Sequence, residues 1–338
     1  MTESSTEAIS ICQEAEFLDL HLDVLIPYRL WGYNPFTRHR NFFGRHFFGH
    51  SDLPRMKEGG LSGGMWSITT NPFRFSNSRW QIFLRNLSRL QQLCQKHTNE
   101  VHLVTNFSEY QAADQKYKIL PAIQGGNAIS GAPNGLLDIP DNLITRITLV
   151  HLTPSIYGNT SSPGHWLNPY KGLKDAGKEL IEQMNHSHVF LDLAHAHPQT
   201  FWDAIDTHNK NHPVLVTHTG VQGVRAHWRN LDDEQIRAIA DRGGVIGVMF
   251  ASNFLQYSRD KTANMVLDHL EHLITIGGEK IAALGSDFDG AISAPTTLKS
   301  AAHYPILVQG MLERGWSEKR IKGVLGENFL DVFKEYRP

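Results

Sequence analysis

The chain has 338 residues, of which 41% are hydrophobic and 20% are charged, and its formal charge at pH 7 is −2. This length and composition suit one large globular domain. The nearly neutral charge excludes the broad basic surface that nucleic acids and anionic membranes attract. No apolar run reaches the roughly 18 to 20 residues of a transmembrane helix. The polar start MTESSTEAIS lacks the features of a signal peptide, so we expect a cytoplasmic protein.

The histidine and cysteine content indicates which kind of metal site this chain could build. It has 19 histidines but only two cysteines, Cys12 and Cys94. Two cysteines cannot form a disulfide framework, which favours a reducing compartment. Any metal ligands are therefore expected to be imidazoles and carboxylates.

The predicted elements begin after a polar stretch over residues 1–15, which we expect to be a flexible lead-in. Nine later runs have the apolar pattern of buried strands: 16–26, 62–70, 101–107, 118–123, 145–152, 188–195, 213–218, 244–251 and 281–287. Helix-like segments lie between several of them: 79–97, 175–187, 197–209, 232–243 and 262–278. This alternation predicts βαβ units and a parallel sheet.

The number of strands favours a barrel. We predict an α/β fold with a single (β/α)8 TIM-like barrel of the metal-dependent hydrolase type over residues 16–338. Because such a barrel needs only eight strands, we predict that 101–107, which is closely followed by a polar stretch, lies outside it. The last segment, 318–336, is predicted to form one amphipathic helix on the barrel exterior.

The stretch over residues 31–60 interleaves aromatic and basic side chains. Such interleaving can bind nucleic acid. The neutral balance of the whole chain weakens that interpretation, and a loop after the first barrel strand is well placed to cover an active site. We therefore predict a lid-like loop. The residues in question are Phe36, Phe42, Phe43, Phe47, Phe48, Arg38, Arg40, Arg45, His39, His46 and His50.

Five of the predicted strands end in residues that can bind a metal ion. Because the active site of an α/β barrel is built at the carboxyl ends of its strands, we expect these residues to converge at one mouth. Histidine and carboxylate ligands together suit a divalent transition metal, most often zinc. The residues are His21 with Asp23, Gln124, His195, His218 and Asp287.

Each candidate ligand has a simpler structural alternative. His21 and Asp23 lie two residues apart on a strand and so face the same way, as a polar pair in a barrel core would. An unpaired buried aspartate is costly, which favours ligation. His195 or His218 alone could be a core histidine, whereas together with the first pair they are predicted ligands. His197 shares the face of His195, but we predict that it lies in the following loop because Pro198 comes next.

The motif GSDFDG contains two aspartates with different predicted roles. Asp287, at the end of the last strand, could orient or deprotonate an attacking water molecule. Asp289 is predicted to cap the following turn through its short side chain.

Several ordered motifs resemble the membrane (renal) dipeptidase family, the zinc dipeptidases of amidohydrolase-like barrel fold. They are DLPRMKEGGLSGGMWSI, TRITLVHLT, GLKDAGKELIEQMN followed by VFLDLAH, VTHTG, RNLDDEQIRAIADRGGVIGVMF, GSDFDG and LGENFLDVF. The similarity extends from about His21 to Phe333. Each motif is weak alone, but the ordered set is specific.

The resemblance implies a role for each candidate residue. In this family two zinc ions share a bridging glutamate. The first ion is expected on His21 and Asp23, and the second on His195 and His218. The resemblance also implies that Arg229 holds the free carboxylate of the substrate, that His151 contacts the substrate near the tetrahedral intermediate, and that Asp287 shuttles a proton.

Gln124 departs from the family pattern. The family has glutamate before the two glycines, where this chain reads IQGGN, and Asn127 replaces the following histidine. A neutral carboxamide offers one oxygen and would turn its NH₂ group towards a cation. We therefore expect Gln124 to be a weak or absent ligand and the site to hold one or two zinc ions.

Two classes of function remain open from the sequence. The favoured one is a metal-dependent hydrolase that cleaves a dipeptide or a related small amide with a free carboxylate. The alternative is a catalytically impaired relative, either a pseudo-enzyme or a single-metal amidohydrolase. The expected partner is a dipeptide or another small molecule, with no nucleic acid and no membrane, and a homodimer is the one protein partner that we consider.

Overall fold

The computed structural model describes residues 4–39, 47–71, 73–163, 172–256 and 261–338. Within these ranges the chain forms short strands that alternate with helices along much of its length. The strands are β1 (Leu18–Leu22), β2 (Gly63–Thr69), β3 (Val101–Leu103), β4 (Tyr117–Gln124), β5 (Arg146–Thr148), β6 (Phe190–Asp192), β7 (Val214–Thr219), β8 (Val245–Val248) and β9 (Ala282–Leu284).

The helices are α1 (Thr6–Glu14), α2 (Leu25–Trp31), α3 (Leu53–Glu58), α4 (Ser76–Lys96), α5 (Phe107–Ala112), α6 (Asp175–Ser187), α7 (Pro198–Thr207), α8 (Asp233–Asp241), α9 (Ser252–Leu255), α10 (Asn264–Gly277), α11 (Tyr304–Glu313), α12 (Glu318–Lys322) and α13 (Asn328–Tyr336). None of the helices formed by the described residues is long and apolar enough to cross a bilayer.

The strands follow the order of a (β/α)8 TIM-like barrel, as the sequence predicted. Eight of them form the path β1-β2-β4-β5-β6-β7-β8-β9, and the strand pairs whose register is resolved are parallel. The first and last strands of this path are also neighbours, because Leu22 forms a parallel bridge with Phe288 just beyond β9. β3 pairs with β4 outside the path, which confirms that 101–107 is not one of the eight.

The chain divides into two compact units. One comprises Met1–Trp66 with Thr217–Val332, and the other Ser67–Val216 with Phe333–Pro338. In the first unit Phe288 lies edge-on to both Phe250 and Tyr304, with ring centroids 5.4 and 5.9 Å apart. In the second, Arg146 and Asp192 form a fully buried ion pair of 3.2 Å between β5 and β6. A single domain over 16–338 stays a prediction.

Local sequence signals account for the helix boundaries. The predicted segment 175–187 coincides with α6, and 232–243 contains α8. At the start of α8 the Asp232 side chain accepts a hydrogen bond from the Gln235 backbone, and the Gln235 side chain accepts one from the Asp232 backbone. This reciprocal pair satisfies two backbone donors that the first turn of a helix leaves open.

Two predictions at the ends of the chain were wrong. The lead-in over 1–15 is not flexible throughout, because Thr6–Glu14 forms α1 and buries Ala8, Ile11 and Cys12. The terminal segment 318–336 is not one helix, since a π-helical turn at Gly323–Glu327 separates α12 from α13. The backbone at Gly326 is extended there, with φ of 178°. A Cβ at this position would overlap the Glu16 carbonyl oxygen, so the kink lets this segment approach the chain just before β1.

Replacing Gly326 with alanine should therefore lower the free energy of unfolding by about 2 to 3 kcal/mol, because backbone atoms must move to admit the methyl group. Gly315→Ala is the matched control. Its φ is +74°, but its added methyl meets no atom within 4 Å, so it should cost only about 1 kcal/mol of backbone strain. Urea unfolding of both variants measures the difference, and equal losses would contradict the steric explanation.

Candidate metal centre

Three predicted site residues form a buried cluster in the first unit. His21, His218 and Asp287 each offer one ligand atom, and these atoms lie within 4.8 Å of one another. The rings of His21 and His218 stack with centroids 3.7 Å apart. His21 Nε2 lies 3.6 Å from Asp23 Oδ2 and 3.7 Å from Asp287 Oδ1. Two imidazoles and two carboxylates thus surround one small volume.

Backbone hydrogen bonds between the ends of β1 and β9 hold this cluster. The Asp23 N–H donates to the Phe288 carbonyl at 2.9 Å, and the Asp287 N–H donates to the His21 carbonyl at 3.1 Å. Gly290 provides space beside them, since a Cβ there would overlap Asp287 Oδ1 and lie 2.9 Å from Asp23 Oδ2. The absence of a side chain at Gly290, the last residue of GSDFDG, therefore leaves room for both carboxylates.

Asp19 holds the backbone next to the cluster, and it was not among the site residues predicted from the sequence. Its buried carboxylate accepts hydrogen bonds from the His21 N–H at 2.9 Å and the Ser286 N–H at 3.0 Å. It also accepts one from the Tyr304 hydroxyl. Burial raises the pKa of Asp19 to about 6, although these hydrogen bonds lower it. An aspartate in an apolar strand, two residues before a candidate ligand, could have drawn attention to this position. Its partners Ser286 and Tyr304 are distant in sequence, so its role could not be predicted.

The electrostatics of the cluster favour a bound cation. Burial raises the pKa of the Asp287 carboxyl well above its ordinary value, and the nearby Asp23 carboxylate raises it further. Arg229 lowers that pKa without cancelling the rise. Its buried guanidinium donates to the His218 carbonyl at 2.6 Å, which fixes it beside the cluster. Close, buried oxygen and nitrogen donors with excess negative charge fit a divalent metal ion.

Gln124, His151 and His195 lie in the second unit. Gln124 is buried at the last position of β4, and His195 is buried just beyond β6 in a left-handed conformation with φ of +66°. The rings of His151 and His195 meet edge to face at 4.6 Å. Gly125, with φ of +88°, lies so close to His151 that a Cβ would stand 3.0 Å from that residue's Cβ. Their ligand and substrate roles stay predictions.

His197 and Asp289 have hydrogen-bond partners of their own. His197 is half-buried before α7, and its Nδ1 accepts the Gln199 N–H at 3.1 Å, in agreement with the loop position that was predicted. The prediction for Asp289 was wrong. Its carboxylate does not serve the following turn but accepts hydrogen bonds from Gly49, His50 and Ser51. The sequence around Asp289 could not reveal these partners, because the donors precede Asp289 by about 240 residues.

The lid-like loop predicted over 31–60 falls partly outside the described residues, which omit 40–46. The described part begins with the end of α2 and includes α3, whose N-cap is Asp52. The lid function stays a prediction.

The barrel and its carboxylate–imidazole cluster define a metal-dependent hydrolase of the barrel type. Residues 5–337 match the profile described as Membrane dipeptidase (Peptidase family M19). Since the match spans nearly the whole chain, the protein belongs to this family.

Solved structures of the same fold agree with this assignment. The dipeptidase AC, a metallopeptidase of family M19, is 25% identical with a TM-score of 0.83, and the match covers 96% of this chain and 99% of that one. A metallopeptidase from Rhodobacter sphaeroides, liganded with a phosphinate mimic of the dipeptide L-Ala-D-Ala, is 24% identical with the same TM-score and coverage. The probable dipeptidase PvdM from Pseudomonas aeruginosa is 16% identical, with a TM-score of 0.84 and 98% of each chain covered.

Replacing His218 with alanine should weaken metal binding by at least about 100-fold, the upper end of the loss for residues that only support a ligand. His197→Ala is the matched control. It removes a helix cap, so it should cost about 1 kcal/mol of stability and leave the metal content unchanged. Zinc per chain, measured by elemental analysis after dialysis, compares the two. Full zinc content in His218→Ala would remove His218 from the ligand set.

Proposed function

We propose that this protein hydrolyses dipeptides that carry a free C-terminal carboxylate, and that zinc is the metal it uses. The observation that carries the proposal is the buried cluster of His21, His218 and Asp287, whose ligand atoms lie within 4.8 Å of one another in a chain of the membrane dipeptidase family. Family membership favours a hydrolase over a binding module.

The chain's own residues supply the ligands, and a water molecule would be the nucleophile. His21 and Asp23 would hold one ion, and His218 would be a ligand of a second ion. When bound, zinc lowers the pKa of a coordinated water molecule towards neutrality and polarises the scissile carbonyl. The backbone bonds between Asp23 and Phe288 and between Asp287 and His21 fix these side chains before the substrate arrives.

Asp287 is the proposed proton carrier. Burial and the neighbouring Asp23 carboxylate favour its protonated form, so it can hold a proton taken from the nucleophile and pass it to the leaving amine. His151 is proposed to stabilise the tetrahedral intermediate.

Arg229 is the proposed binding group for the substrate's carboxylate. A guanidinium presents five N–H donors in a planar fork that matches a carboxylate. The bond from Arg229 to the His218 carbonyl, together with burial, holds that fork next to a proposed metal ligand. A substrate carboxylate bound by Arg229 would therefore lie next to the metal cluster.

Converting the C-terminal carboxylate of a dipeptide into an amide should therefore cost about 1.5 to 3 kcal/mol, a roughly tenfold to hundredfold lower kcat/KM. Paired assays of each dipeptide and its amide, with and without a chelator, measure this. In Arg229→Met the preference for the free acid should disappear. Equal turnover of the two forms by the native enzyme would contradict the role of Arg229, and activity that survives metal removal would contradict the proposed chemistry.

Gln124 is proposed to limit the metal content of the native protein. It stands at the end of β4 where the family pattern has the bridging glutamate, and it brings no negative charge. Without an anionic bridge each ion keeps two strong protein ligands, fewer than the three that are typical of catalytic zinc. We propose at most about one tightly bound ion per chain.

Gln124→Glu should raise the zinc content towards about two ions per chain and raise turnover by about tenfold or more, because the new carboxylate neutralises charge between the ions. Gln111→Glu is the matched control, since Gln111 is exposed on α5 and should change neither value. Elemental analysis and dipeptide assays give both readings. Two tightly bound ions in the native protein would show that the carboxamide or another group bridges them adequately.

A further inference from the structure

The turn that carries Asp287 has an unfavourable backbone. Asp287, Asp289 and Ala291 all have left-handed φ angles, of 62°, 66° and 62°. Residues with a Cβ are disfavoured in this region, and such conformations persist only where the surroundings fix them. Three alternate residues of one short turn share this conformation. The contacts that hold the turn therefore control where the Asp287 carboxylate points.

The fully buried carboxylate of Asp289 links this turn to a segment that is distant in sequence, in addition to the backbone bonds that join the turn to the end of β1. It accepts the backbone N–H groups of Gly49, His50 and Ser51 at 2.6, 2.8 and 3.2 Å. The Ser51 hydroxyl donates a fourth hydrogen bond to it. Successive backbone N–H groups form a concave site for an anion, and hydrogen bonds to a charged acceptor are strong. In return, the Asp289 N–H donates to His50 Nδ1 at 3.3 Å.

The segment that Asp289 binds is itself held in place. Arg55 donates to the Gly49 carbonyl at 2.8 Å and to the Tyr33 hydroxyl at 2.8 Å. Its Nε donates to the buried Asp52 carboxylate at 2.8 Å. The His50 carbonyl accepts the Ala301 N–H at 3.0 Å. Residues 49–51 are therefore a fixed support, and Asp289 attaches the turn to it.

We infer that Asp289 is a positioning residue: by binding residues 49–51 it holds the left-handed turn and so keeps the Asp287 carboxylate beside His21. The kinetic part of this inference rests on the proposed function. Its structural part does not, because it concerns the backbone of residues 49–51 and the geometry of one candidate ligand.

Asp289→Asn tests the inference. The carboxamide has almost the same size, but it loses the charge and turns an NH₂ group towards donors. We expect kcat for a dipeptide to fall about tenfold to hundredfold at saturating zinc, the usual effect of losing a group that supports the site. KM should change by less than about threefold, since substrate binding is not removed.

Asp268→Asn is the matched control. Asp268 is a half-buried aspartate of the same unit, and it lies on α10, where it pairs with Arg314 just after α11 at 2.7 Å. We expect it to lower the unfolding temperature while kcat stays within about threefold of the native value. An equal loss of kcat in both variants would reduce Asp289 to a structural role and overturn the inference.

Two readouts do not depend on activity. In Asp289→Asn the amides of residues 49–51 should exchange with solvent faster, and zinc affinity measured by competition with a chelator should fall about tenfold to hundredfold. If both remain native, the inference is wrong. If both change while the native enzyme cleaves no dipeptide, the proposed function fails and the inference stands.

Ser51→Ala keeps the test valid if Asp289→Asn does not fold. It removes one of the four donors, so kcat should fall by a smaller factor, about threefold, together with faster exchange at residues 49–51. Native kcat and native exchange in Ser51→Ala would then overturn the inference.

Discussion

The burial of the Asp23 and Asp287 carboxylates beside two histidines is the constraint on which the site depends. Removing a carboxylate from water is expensive, and two such groups in close proximity also repel each other. The raised pKa of Asp287 is the direct result, and Arg229 offsets only part of it. A divalent cation would resolve this imbalance by bringing positive charge beside both carboxylates.

The surrounding fold keeps that arrangement from relaxing. Asp19 holds the backbone of His21 and of Ser286, so the strand ends that bear the ligands are fixed together. Asp289 links the turn beyond Asp287 to residues 49–51. At β7 a Cβ on Gly247 or Gly285 would overlap the Thr217 carbonyl oxygen, so small residues permit the close strand packing next to His218. Buried polar groups with satisfied hydrogen bonds thus position the candidate metal ligands.

The sequence predicted the strands of the barrel and the candidate ligands because burial and strand-end position leave local patterns. It placed the end of β6 too late: 188–195 was predicted, whereas β6 ends at Asp192 and His195 has a left-handed φ. Apolar residues continue past the last paired residue, so hydropathy does not mark the end. The roles of Asp19 and Asp289 could not be predicted, because Tyr304 and residues 49–51 approach them only in the folded chain. The helix at Thr6–Glu14 was missed since its apolar face is short.

We propose that the cluster of His21, His218 and Asp287 is a metal centre. Anomalous diffraction from crystals grown with zinc, recorded on both sides of the zinc absorption edge, would locate a metal bound there. We predict an anomalous peak within about 2 to 2.3 Å of His21 Nε2 and a carboxylate oxygen, the usual zinc–ligand distances. Zinc peaks found only at surface residues, with His21 and His218 still stacked as they are here, would contradict the claim.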